Sequence, residues 1–161
     1  MRALHVVPIA LTLVLAGCGD GTGTEISLNV TDPGGAFNAT ASKDGTVAVN
    51  APGFKGAIKL PKIQLDAGNF DINGVHLPPG SKIDALNIIG SPGDDRVRVT
   101  FTSPIAPDAV RAWFQPKLAA KGFRLTATGD ALSGTTDEGK PFTLTSKASG
   151  TGSESVIAIA D

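Results

Sequence analysis

Residues 96–102 read Arg-Val-Arg-Val-Thr-Phe-Thr, a strict alternation of polar and apolar side chains. Successive side chains of a strand point to opposite faces, so this run predicts a strand with one dry and one wet face. Val97, Val99 and Phe101 then face a core, and Arg96, Arg98 and Thr100 face away from it. Such a strand needs hydrogen-bonded neighbours and an apolar cover for its dry face. The neighbours are legible. "KIDALNII" precedes it, and "FRLTAT", "ALSGTT", "PFTLTSK" and "SVIAIA" follow later in the chain. The last four are joined by turns at Gly129-Asp130, Asp137-Glu138-Gly139 and Ser149-Gly150. Turns this short imply antiparallel pairs.

One stretch offers the cover. In "APDAVRAWFQPKLAAKGF", Val110, Trp113, Phe114 and Leu118 form a stripe at i, i+3, i+4 and i+8. Pro107 suits the first helical position, Asp108 favours the positive helix start, and Gly122 fits the left-handed position past the last turn. Pro116 removes a backbone donor and crowds the Ala112 carbonyl, which predicts a kink near Ala112 or a helix in two pieces. From Glu25 to Ser81 only short strands are visible. Ile26, Leu28 and Val30 alternate with polar residues, as do Val47 and Val49. "AIKL" and "KIQLD" flank Pro61, which interrupts any strand there. "NFDINGVHL" predicts a hairpin about Asn73-Gly74, the strongest short signal for a two-residue turn with positive φ. The expected fold class is therefore α+β: mostly antiparallel β with one amphipathic helix packed on a sheet, preceded by an all-β segment. The expected division is 25–81 for that segment and 82–161 for a unit of order β-β-α-β-β-β-β.

The N-terminus carries the most specific motif. Met1-Arg2 is followed by an almost wholly apolar run, Ala3 to Ala16, and then by Leu15-Ala16-Gly17-Cys18. About 14 apolar residues are too few to span a bilayer, which takes about 20, but they suit a secretory signal. Leu15-Ala16-Gly17-Cys18 resembles the lipobox of bacterial lipoproteins. The resemblance covers the first 18 or so residues. It implies a signal peptide at 1–17, alkylation of the Cys18 thiol by a diacylglyceryl group, cleavage before Cys18, and acylation of the new amine, commonly with palmitate. Two or more long chains anchor a protein stably where one is marginal. Gly19 follows the cysteine where an aspartate resembles an inner-membrane retention signal, which points to the outer membrane, facing the periplasm. Residues 18–24 then form the lipidated cysteine and a glycine-rich tether.

This reading narrows the chemistry. Cys18 is the chain's one cysteine; once lipidated it leaves no disulfide, thiol nucleophile or thiolate metal site. The formal charge of −1 shows no basic excess for nucleic acid. His76 is the one imidazole after residue 17, too few for a multi-histidine zinc site, and no G-x-S-x-G elbow accompanies it. Asn69-Phe70-Asp71-Ile72-Asn73-Gly74 matches the first half of a calcium loop. Gly80 stands where the bidentate glutamate belongs, so the hairpin explains these residues better. The expectation is no cofactor, no metal and no catalytic residue.

A possible binding face remains. Arg96, Arg98 and Arg124 fall on the wet side of the predicted sheet, with Thr100, Thr126, Thr143 and Thr145. Arginine forks bind carboxylates and phosphates, so this face is a candidate for docking an acidic partner; a solvated face of good β-formers is the plainer reading. The strand–helix–strand–hairpin order from "TSPIAPDAV" to "PFTLT" is similar to that of small uncharacterised envelope lipoproteins. The expected role is a non-enzymatic, lipid-anchored envelope protein acting by interaction or as a structural accessory. Its partners are the membrane, through Cys18, and an envelope protein, with no nucleic acid. The alternative is a small-molecule or lipid-binding lipoprotein with a pocket between helix and sheet.

Overall fold

A computed structural model describes residues 23–32, 34–59, 65–91 and 95–160. Cys18, the lipobox, most of the tether and Pro61 lie outside the described residues. Twelve strands and one helix are described, in the order β1 (Glu25–Asp32), β2 (Gly35–Ala41), β3 (Thr46–Ala51), β4 (Phe54–Lys59), β5 (Asp71–Ile72), β6 (Val75–His76), β7 (Lys82–Gly90), β8 (Arg96–Ser103), α1 (Pro107–Ala119), β9 (Arg124–Thr128), β10 (Ala131–Thr135), β11 (Pro141–Ser149) and β12 (Gly152–Ala160). β5 and β6 form a small hairpin. The other ten strands make one sheet, in the order β4-β3-β2-β1-β7-β8-β12-β11-β10-β9.

This architecture corrects the expected class. The protein is mostly β, built on a single large sheet, and not an α+β unit preceded by an all-β segment. The joint is β1, which pairs in parallel with β7 from Glu25↔Ala85 to Val30↔Gly90. Parallel neighbours need a long crossover. Here the crossover is the stretch from β2 to Ser81, whose β2–β4 meander extends the same sheet outward. Alternation in sequence reports that a strand has two faces; it carries no record of which strand lies beside it.

Register explains the core. One row of side chains runs Val47–Ala41–Ile26–Leu86–Val99–Ile157–Leu144–Leu132, from β3 to β10. The next runs Val49–Ala39–Leu28–Ile88–Val97–Ile159–Phe142, on the same face. That face is apolar along its length, but its cover is not uniform. Val110, Phe114 and Leu118 of α1 are fully buried, together with Val99, Phe101, Leu132, Phe142, Leu144 and Ile157 of the sheet. Phe101 meets Phe114 edge-on at 6.2 Å between ring centres, and Phe123 meets Phe142 at 5.5 Å, a favoured aromatic geometry. Val75 and Leu77, beside the hairpin, complete this core. The same face over β1–β3 is only half-buried, and Phe54 at the edge is 60% exposed.

Local signals are read as the structure shows them. Asn73 and Gly74 both take positive φ, 53° and 76°, the backbone of a two-residue turn that matches strand twist. Helix α1 ends with the Phe123 N–H donating to the Leu118 carbonyl and the Gly122 N–H to that of Ala119. With Gly122 at φ 94°, this is the Schellman ending, closed by the buried pair Leu118 and Phe123. Of the two expectations for Pro116, a helix in two pieces is not what forms: α1 is one helix containing it. Ala112 and Pro116 both lie on the exposed side, where water can satisfy the Ala112 carbonyl that the missing N–H leaves free.

Candidate interaction surface

The wet face of β8 holds Arg96 and Arg98, both exposed. They lie two residues apart on one strand, about 7 Å along it. Register sets Asn87 and Ala158 beside Arg98, and Ile89 and Ala160 beside Arg96. Alanines next to two long side chains leave a hollow of about 400 Å³ with a cationic wall and a small apolar floor. Asn87 is held by Ser27, whose Oγ lies 2.5 Å from the amide oxygen. A carboxylate entering the hollow can meet a guanidinium fork, the strong form of a charge-assisted hydrogen bond.

Arg124 shares the face but not the hollow. It sits on the edge strand β9 opposite Thr135, four strands from β8, or about 19 Å at the usual strand spacing. Arg111 lies on α1 and pairs with Asp108 one turn earlier. The structure thus brings two of the three candidate arginines together and leaves the third separate.

Between helix and sheet the space is filled by the phenylalanines of the core. A hollow of about 330 Å³ lies instead at the outer side of α1, lined by Gly74, His76, Trp113, Lys117 and Lys121. The Trp113 indole N–H donates to the His76 carbonyl at 3.0 Å, and Lys117 Nζ lies 3.8 Å from the centre of the indole ring, within cation–π range. His76 is exposed between buried Val75 and Leu77, with Nδ1 3.4 Å from the Phe70 carbonyl. Asp71 accepts the Gly74 N–H at 2.8 Å, and Asn73 donates to Asp137 at 3.0 Å. In the half-matched calcium loop, Asp71 thus braces its own turn and Asn73 ties that turn to the loop holding Asp137. Among the described residues no three His, Cys, Asp or Glu side chains converge on a metal position. No described helix is long and apolar enough to cross a membrane.

Asp84 was not legible as unusual. It sits at the irregularity between Ile83 and Ala85 in the β7–β8 pairing. Burial raises its carboxyl above the ordinary value; Lys43 opposes this, Glu154 adds to it, and a Thr102 hydrogen bond and Lys82 oppose it. A bulge re-aims a side chain without leaving a pattern in sequence. Compared with known proteins, the chain matches no family model, no curated protein and no solved structure.

Proposed function

We propose that this chain is a lipoprotein of the bacterial envelope, anchored through Cys18 in the outer membrane and facing the periplasm. It acts by contact with an envelope protein and not by catalysis. The observation that carries the anchor is the coincidence of Leu15-Ala16-Gly17-Cys18 with an apolar run of signal length. The contact surface is the hollow around Arg96 and Arg98, and its partner presents carboxylates. Sitting two residues apart on one strand, the two arginines keep their backbone spacing whether or not a partner is bound, which limits the backbone share of the ordering cost of association.

Two measurements test these parts separately. Metabolic palmitate labelling is expected to mark the native protein and to vanish in Cys18→Ala; equal labelling of both refutes the anchor. In-cell crosslinking of the tagged protein is expected to capture an acidic envelope partner. The double substitution Arg96→Glu with Arg98→Glu should lose it, while Arg124→Glu keeps it. Retention of the same crosslinked partner by the double variant removes the arginine hollow as the contact.

A further inference from the structure

We infer that the uncovered apolar face of β1–β4 rests on the surface of the lipid bilayer. The inference depends on the proposed anchor at Cys18. In the described strands β1 to β4 this face presents Ile26, Leu28, Val30, Val47, Val49 and Phe54 among its residues, with one charged residue, Asp32, at its far end opposite Gly35. Helix α1 and the β5–β6 hairpin cover the other half of the sheet and make no substantial contact with these strands.

The chain's own course says what lies opposite. Between Cys18 and Gly23 only residues 19–22 intervene, a span of at most about 18 Å. The tether ends at a fixed point. Thr24 is buried, donates to the Ile83 carbonyl at 2.6 Å and accepts the Leu65 N–H at 2.9 Å. Glu25 then opens β1, whose Ile26, Leu28 and Val30 belong to the uncovered face. A lipid at Cys18 thus holds this face within one tether length of the membrane. Phe37 pairs with Val30 and Phe54 with Ala51, toward the strand ends away from the tether, and the two residues are 36% and 60% exposed. They can reach the headgroup–acyl boundary, where aromatic and aliphatic side chains without charge are favoured.

A second copy of the chain fits the face less well. Four strands and three rows span roughly 400 Å², half of the about 800 Å² per partner of a standard stable interface. Neighbouring strands of a sheet twist by about 20° relative to one another, which turns the helix-covered half out of the plane of β1–β4. Arg96 and Arg98 stay on the opposite face, where the proposed contact with a periplasmic partner lies.

The test uses full-length lipidated protein in phosphatidylethanolamine–phosphatidylglycerol vesicles. A thiol-reactive NBD dye is placed at Phe54→Cys, or at Ala48→Cys on the opposite face. Native protein lacks a free thiol if Cys18 is lipidated, so labelling of native protein is a failure of the anchor and not of the docking. With the anchor intact, the dye at position 54 is expected to emit to the blue and to resist aqueous dithionite about fivefold longer than at position 48, as interfacial burial requires. Equal dithionite rates at the two positions overturn the docking. So does a stable dimer crosslinked through position 54 before labelling, which assigns the face to a second copy.

Discussion

The two ends of the sheet share one pattern and have different fates. Val99, Ile157, Leu144 and Leu132 sit in one row and are essentially inaccessible to water. Ile26 and Val47 continue that row and remain half-exposed, with Ala41 alone buried among them. The alternation is equally good in both halves. What differs is cover: a helix stripe and a hairpin lie over one half, and no described element lies over the other. Period-two patterning thus makes a strand. Whether its dry face becomes core depends on a second layer supplied from elsewhere in the chain.

The comparison can be broken most forcefully at Phe114. Truncation to Ala empties a fully buried site and should cost about 3–5 kcal/mol in urea unfolding. A loss below 1 kcal/mol would mean that the helix is not the covering layer. Glycines sharpen it next. Gly134 and Gly56 lie toward opposite ends of the second apolar row. A Cβ on Gly134 would meet the Arg124 carbonyl oxygen at 1.9 Å, whereas one on Gly56 would meet the tip of the Phe54 ring at 3.0 Å. Gly134→Ala is expected to destabilise by about 3 kcal/mol. Gly56→Ala should stay within about 0.5 kcal/mol, since an exposed ring can swing aside. Comparable losses from the two would erase the contrast between a closed and an open half.

Smaller effects follow. Gly74→Ala forces a side chain into left-handed backbone and should cost about 1 kcal/mol, loosening the hairpin over the core; unchanged thermal unfolding would contradict the turn assignment. Phe54→Ser, on the uncovered face, should alter stability in solution by at most about 0.5 kcal/mol. A large loss there would reveal cover that the two-half contrast denies. The smallest is Asp84→Asn. Because burial raises this carboxyl, the folded state favours the neutral form. Its stabilising contribution is complete below 3.8 and fades as pH rises through the raised folded value. The asparagine should remove that slope and raise Tm at neutral pH by about 1 °C, kept small by solvent screening. A lower Tm at neutral pH would show the charged form to be the favoured one.

Much of the second half, and the hairpin before it, was readable because the signals are local. The strands from Lys82 onward, the helix stripe, the Asn73-Gly74 turn and the Gly122 ending each rest on residues within a few positions of one another. The pairing of β1 with β7 was not readable, since partners some 60 residues apart leave no mark on each other's alternation. β2 was missed as well: Phe37, Ala39 and Ala41 are mostly too small to stand out as an apolar series. At the candidate surface, alternation was enough to assign Arg96, Arg98 and Arg124 to one face. Their separation into a pair and a distant third depended on strand order.

From the sequence alone come most of the strands, the single helix with its stripe, the exposed side of the arginines, and the resemblance to a lipobox that makes Cys18 an expected lipid anchor. These follow from short-range periodicity and from a motif whose parts are contiguous. Only the tertiary structure decided that both halves share one ten-stranded sheet and that the helix covers one end of it. It alone placed Arg96 and Arg98 beside small alanines, where a hollow can open. Strand order and coverage depend on contacts between distant segments, and a pattern of two faces is satisfied by any neighbour with the same pattern.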